Sequence, residues 1–163
     1  MAMYTTAEDF FKAEASWVPA NRKSILGFTN GCFDLLHAGH VTYLKQAREC
    51  CDFLVVGLNT DQSIKKIKGL TRPIQDQESR ATILSALRFV DGVILFSQDT
   101  PNELIAQLQP DRLFKGNDYQ GQIVVGQDLV EQRGGKVMLL PFIEGQSTTL
   151  LEERILKGRG TAS

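Results

Sequence analysis

Short, continuously apolar runs alternate along this chain with segments of helical length. The runs are Ser24–Thr29, Phe53–Leu58, Gly92–Phe96, Arg112–Lys115 and Lys136–Leu140. A strand whose apolar residues do not alternate with polar ones is buried on both faces, the habit of a parallel sheet. Helical segments fall over Ala38–Cys51, Asp61–Lys66, Asp76–Phe89, Pro101–Leu108 and Ile123–Arg133, and a last one over Thr148–Lys157. Leu84, Leu87 and Arg88 follow Arg80 and Ile83 at spacings of three and four, so this segment has one apolar face. Thr100-Pro101 reads as a helix start, with Thr100 as cap and Pro101 in the first helical position. Pro110 and Pro141 punctuate the joins on either side of a strand.

Strands joined by helices in this order predict an α/β, doubly wound Rossmann-like fold on a five-stranded parallel sheet. Such sheets bind ligands beyond the carboxyl ends of their strands, where strand order reverses. The residues just after each strand are therefore the candidates for chemistry. Residues 1–22 read as a helical lead-in, with a helix over Ala7–Ala15 packed on the outside and Trp17 and Pro19 behind it. Residues 23–158 form the domain proper, and residues 159–163 a flexible tail.

Composition narrows the function classes. The 163 residues carry 18 Lys+Arg against 19 Asp+Glu, a net charge of −1, which argues against a polybasic nucleic-acid or membrane-surface protein. A chain of this length buries roughly 70% of its unfolded surface and needs no staples. No apolar run approaches the ~20 residues of a membrane span, and the start lacks the pattern of a signal peptide. The 3 cysteines, Cys32, Cys50 and Cys51, make neither a disulfide framework nor a CxxC motif. Reduced thiols and a cytoplasmic location are expected.

The 2 histidines of the chain, His37 and His40, sit where the first strand hands over to the first long helix. Unpaired N–H groups and the helix dipole favour an anion there. At spacing three both imidazoles lie on one side of the first turn, and Gly39 between them removes a side chain that would hold a phosphate off the backbone. Zinc ligation is a weaker reading, because no HExxH glutamate and no third histidine accompany the pair. Asn30-Gly31 as a hairpin turn is weaker too, since a helix follows rather than a strand. Simple polarity at a helix cap remains open on these residues alone.

The surrounding segment, Thr29–His40 (TNGCFDLLHAGH), resembles the signature of the HxGH nucleotidyltransferase superfamily. Val55–Ile74, Asp111–Tyr119 (DRLFKGNDY) and Glu144–Thr149 (EGQSTT) resemble its heptose 1-phosphate adenylyltransferase group, and the likeness runs from about Ser24 to Ile155. The resemblance implies transfer of AMP from ATP to a sugar 1-phosphate, most closely D-glycero-β-D-manno-heptose 1-phosphate, with release of pyrophosphate. It implies that His37 and His40 contact the triphosphate, and that Thr29, Asn30, Gly31, Phe33, Asp34 and Gly39 shape the nucleotide site. Mg2+ would arrive with the ATP, since no carboxylate cluster marks a dedicated metal cage. A homodimer is expected by the same resemblance, as is a separate sugar kinase upstream, because the chain has no room for one.

Other candidates carry both a structural and a functional reading. Lys65, Lys66, Lys68 and Arg72 form the densest basic stretch, either a solvated face or a mobile flap over the phosphates hinged at Gly69. Relatives use a lysine here, and Lys66 is assigned to catalysis, Lys68 and Arg72 to substrate. Arg80 reads as an outward surface arginine, or by resemblance as a catalytic phosphate ligand. Lys115, Gly116 and Asp118 follow a strand and fit close approach to the nucleotide, although Asn117 stands where the family more often has glycine. Ser147, Thr148 and Thr149 can cap the last helix and hold phosphate or ribose as well. Gln146 replaces the family's usual cysteine, and Phe142 stands where cytidylyltransferases carry arginine, which favours adenine. Asn59 and Asp61 are turn and cap residues or substrate contacts. A cytidylyltransferase, an FMN or phosphopantetheine adenylyltransferase, and a non-catalytic nucleotide-binding module are the rival readings.

Overall fold

Paired aspartates and glycines at the strand entrances explain how the apolar runs align. The computed structural model describes residues 2–4, 6–13, 24–117, 121–141, 145 and 147–159. Its elements are β1 (Ala2–Tyr4), α1 (Ala7–Ala13), β2 (Leu26–Gly31), α2 (Ala38–Glu49), β3 (Phe53–Asn59), α3 (Asp61–Lys68), α4 (Gln77–Ser85), β4 (Gly92–Phe96), α5 (Asn102–Leu108), β5 (Arg112–Gly116), α6 (Gln127–Glu131), β6 (Lys136–Leu140) and α7 (Thr148–Arg159). Asp52, Asp91 and Asp111 each precede a strand and accept from the first amides of a neighbour. Asp52 Oδ2 accepts from Ile25 N at 2.7 Å, Asp91 Oδ2 from Leu54 N at 2.8 Å, and Asp111 Oδ2 from Leu26 N at 2.8 Å. In return the amides of Asp52, Asp91 and Asp111 donate to the carbonyls of Ile25, Leu54 and Leu26. These exchanges satisfy backbone groups at the sheet margin and set the register.

The strands lie in the order β1-β4-β3-β2-β5-β6, all parallel. The apolar runs of β2 to β5 are continuous because both faces are covered, whereas the edge strand β6 is only partly buried. Phe28, Val55, Ile94 and Leu113 pack on one side with Phe10, Leu104, Ile105 and Val130. Leu54, Val56, Leu58, Val93 and Phe114 pack on the other with Tyr43, Leu44 and Leu84. Gly27 makes the second layer close: a Cβ there would lie 2.5 Å from Cys51 Sγ and 2.6 Å from Phe114 Cε2.

The sheet has six strands where five were expected. Ala2–Tyr4 pairs in parallel with Gly92–Ile94, so the lead-in contributes a strand as well as a helix. Three residues are too few to show a periodicity. Phe10 of α1 is fully buried, so this segment also joins the core rather than lying outside it. Trp17 and Pro19 fall outside the described residues. Pro101 itself takes the cap position of α5, without a side-chain bond, in place of Thr100. Helix α6 begins only at Gln127, because Gly126 at φ 86° breaks any longer helix. Among the described residues no helix is long and apolar enough to cross a membrane.

From β2 the chain builds outward through β3 to β4, then returns to place β5 on β2's other flank. Strand order reverses between β2 and β5. Here the ladder is short: β2 pairs with β3 along its whole length, but with β5 only at Gly27 and Phe28. Beyond that point the two strands part toward their carboxyl ends, leaving the crevice where ligands of such sheets bind.

Candidate active site

The loop from β2 to α2 brings the histidines to the rim of this crevice. His37 is the N-cap of α2, extended at φ −137° and ψ 171°, and makes no side-chain cap bond, so it does not consume the first-turn amides that favour an anion. The His37 and His40 rings stack with centroids 3.8 Å apart at 25°. Phe33 covers His40 at 5.1 Å. Phe33 holds a left-handed backbone (φ 44°), and a Cβ on Gly31 would lie 3.0 Å from its ring, so glycine at 31 lets the ring fold back.

Burial disfavours the protonated form of both rings. His40 is held down to about 4 by desolvation first, then by the charges of His37 and Lys68, against a weaker opposing bond to the Leu35 backbone. Desolvation also lowers His37. The Nδ1 atoms of both rings are buried and lack a hydrogen-bond partner. A buried ring nitrogen without a partner carries a cost that a hydrogen bond would remove.

A bonded shell fixes this loop against its neighbours. Arg80, read from sequence as a surface or phosphate-facing side chain, is 1% exposed. It donates from Nε to the Gln75 carbonyl at 3.0 Å and from Nη1 to those of Cys32 (2.7 Å) and Asn59 (2.9 Å). Its Nη2 donates to Asp61 Oδ1 at 2.6 Å. Arg80 thus ties the histidine loop, the end of β3 and the start of α3 together, and its charge faces protein groups rather than a phosphate. Asp34, expected among the nucleotide ligands, is 2% exposed and committed elsewhere. Its Oδ1 accepts from Ile74 N at 2.8 Å and Gln75 N at 3.0 Å, and its Oδ2 from Arg72 Nη1 at 3.1 Å. Arg72 Nη2 pairs with Glu152 of α7.

Several other expected contacts face inward. The Thr29 hydroxyl is buried against Tyr43 OH at 2.8 Å. Asn59 Nδ2 donates to Ser63 Oγ at 2.9 Å, and the Asp61 amide donates to Gln77 Oε1 at 3.1 Å. Lys115 Nζ reaches Asn30 Oδ1 at 2.6 Å and bridges the parting strands. Lys65, Lys66 and Lys68 form the last turn of α3, which Gly69 ends at φ 96°. Lys66 pairs with Asp99 at 3.7 Å in solvent, whereas Lys68 is the lysine whose charge acts on His40 and Cys32. Of the three lysines, Lys68 is the one whose charge lowers His40. Ser147 Oγ accepts from Leu150 N at 3.1 Å and caps α7, with Thr148 and Thr149 following in its first turn. Gly116 closes β5, while Asp118, Phe142 and Gln146 lie outside the described residues.

A cleft of about 170 Å³ lies over the strand ends, lined in part by Asn30, Asn59, Asp99 and Lys115. A larger groove of about 830 Å³ runs between α1 and α5 and includes no residue of the histidine loop. Among the described residues no group of three or more His, Cys, Asp or Glu side chains is placed to hold a metal ion. Sequence reasoning named Phe33 and Thr29 as nucleotide contacts but not the packing of Phe33 on His40 or the Thr29–Tyr43 bond, and it did not name Glu152.

Comparison with known proteins matches residues 28–154 to the cytidylyltransferase-like family. The chain is 52% identical over 143 residues to the bifunctional protein HldE of Hyphomonas neptunium, covering 88% of this chain and 29% of that protein. It is 59% identical over 124 residues to HldE of Paramagnetospirillum magneticum, covering 76% of this chain and 25% of that one. The chain thus spans less than a third of the length of these relatives. Among solved structures, the lipopolysaccharide core biosynthesis protein of Thermoplasma volcanium superposes with a TM-score of 0.61 at 29% identity, over 76% of this chain and 99% of that one. Pantoate-β-alanine ligase of Francisella tularensis shares the fold, with a TM-score of 0.62 at 18% identity, over 93% of this chain and 76% of that one. With most of its length matched by one family model, and with the histidine loop set at the strand-order reversal, this chain belongs to the cytidylyltransferase-like family.

Proposed function

We propose that this domain transfers AMP from ATP to a sugar 1-phosphate, D-glycero-β-D-manno-heptose 1-phosphate, and releases pyrophosphate. The observation that carries this reading is the stacked His37–His40 pair at the start of α2, each Nδ1 buried without a partner. An oxygen of the acceptor phosphate attacks the α-phosphorus in line. The bond from that phosphorus to the oxygen bridging the β-phosphorus breaks, and pyrophosphate leaves with the electron pair. Little covalent help is needed, so the protein's part is to hold two polyanions together and stabilise charge on the transferring oxygens. His37 and His40 donate to the triphosphate, Lys68 offsets charge beside them, and the α2 amides with Gly39 accept the phosphates. Asn30, Lys115 and Gly116 face the nucleotide from the crevice, and Ser147, Thr148 and Thr149 from the start of α7. Arg80 is a positioning residue that holds the histidine loop. Mg2+ enters as part of the substrate, on the triphosphate.

A kinase, on another chain or in another domain, must supply the sugar 1-phosphate. We place the reaction in the cytoplasm, where the unbridged Cys32, Cys50 and Cys51 stay reduced. We also propose a homodimer, which would cover exposed apolar residues such as Ile155 and Leu156 of α7.

Pyrophosphate release with ATP and the heptose phosphate, measured beside CTP with glycerol 3-phosphate and ATP with FMN or phosphopantetheine, tests the reading. The heptose pair should react, and His40→Ala should lose about 10²–10³ of turnover, the usual effect of removing one such donor. Release from CTP with glycerol 3-phosphate alone would overturn the adenylyl assignment. ATP binding without release from any pair would make the domain a nucleotide-binding module.

A further inference from the structure

We propose that Glu152 is a removable cover on Arg72, a protein carboxylate occupying the guanidinium that a phosphate-bearing ligand takes when Glu152 swings away. The inference rests on the reading that such an acceptor enters this crevice. Arg72 lies between two carboxylates of unequal standing. Asp34 is buried in the histidine loop and also accepts from the Ile74 and Gln75 amides, so it stays in place. Glu152, on α7, has a side chain 37% exposed and, among the described residues, makes no second bond of the kind that fixes Asp34. Of the two partners it is the one that leaves at low cost, since pairs with an exposed member contribute little.

Position makes the exchange consequential. Arg72 follows the α3 turn that carries Lys68, the lysine acting on His40, and its Asp34 partner lies within the histidine loop. A guanidinium at this place presents parallel N–H groups suited to a phosphate. While both carboxylates hold it, their combined charge repels an anion. Once Glu152 has left, a dianion gains more from the freed guanidinium than a monoanion does. Glu152 therefore acts on affinity for the phosphate ligand, and through Arg72 alone.

Inorganic phosphate is the probe, titrated by calorimetry into the intact chain and into Glu152→Gln, Arg72→Gln and the double variant. Glu152→Gln should bind phosphate about two- to fivefold more tightly, the scale of one weakly screened ion pair. With Arg72→Gln already present the gain should vanish, which a double-mutant cycle reads directly. Glu153→Gln, the same charge change at the neighbouring residue paired with Lys157 at 3.9 Å, should leave phosphate affinity unchanged. No gain in Glu152→Gln, a gain that survives the loss of Arg72, or an equal gain in Glu153→Gln would each overturn the proposal. The titration needs no nucleotide or sugar, so a failure of heptose adenylylation in the pyrophosphate assay would be seen separately.

Discussion

Lowering the pH tests the histidine pair without changing an atom. His40 sits at about 4 in the folded chain against 6.5 ordinarily, because burial and the neighbouring charges of His37 and Lys68 disfavour its proton. Between these values the unfolded chain binds the proton and the folded chain does not, so folded stability falls as pH drops below 6.5 and the loss is complete near 4. One pKa unit is about 1.4 kcal/mol, and pH 5 lies about 1.5 units into the window, so His40 alone should remove about 2 kcal/mol between pH 8 and pH 5. Triphosphate reverses the sign. An anion against the ring favours the protonated form, so a non-hydrolysable ATP analogue should bind more tightly as pH falls from 7 to 5, by up to about tenfold per unit where proton and anion are fully linked. Urea unfolding at pH 8 and pH 5 measures the first effect, with His40→Gln as reference. Calorimetry in buffers of different ionisation enthalpy counts the proton taken up with the analogue. The reasoning fails if His40→Gln loses as much stability as the unaltered chain over that interval, or if the analogue binds without proton uptake.

Other outcomes follow from the shell and the core. Arg80→Met should cost about 3–5 kcal/mol in thermal unfolding, because it strands the Cys32 and Asn59 carbonyls and Asp61; an unchanged melting temperature would remove its positioning role. Gly27→Ala should destabilise by about 1–3 kcal/mol through overpacking against Cys51 and Phe114, and adding Cys51→Ala should restore part of the loss. Thr29→Val should lose about 1 kcal/mol of stability with its buried Tyr43 bond, yet leave the KM for ATP unchanged. A raised KM would return the Thr29 side chain to the nucleotide site.

Residues close in sequence made much of this protein legible before any coordinates. Apolar runs of strand length, each without alternation, specified strands, and all five reappear at β2 to β6 within two residues at either end, although the edge strand β6 is only partly buried. The histidine spacing placed both imidazoles together at the start of α2, because that feature depends on one helical turn. Boundaries went astray where a single backbone angle decided them, as at Gly126, and where an element was too short for a pattern, as at Ala2–Tyr4.

Tertiary structure alone decided what the polar side chains face. Arg72 meets Asp34 across 38 positions and Glu152 across 80, and Arg80 reaches back 48 to Cys32. No periodicity carries such distances, since they depend on how crossovers bring loop ends together above one sheet edge. The same arginine in the same helix can face solvent, a phosphate or a set of carbonyls. Which one it meets is settled by burial, because an arginine closed off from water must find acceptors wherever the neighbouring loops supply them.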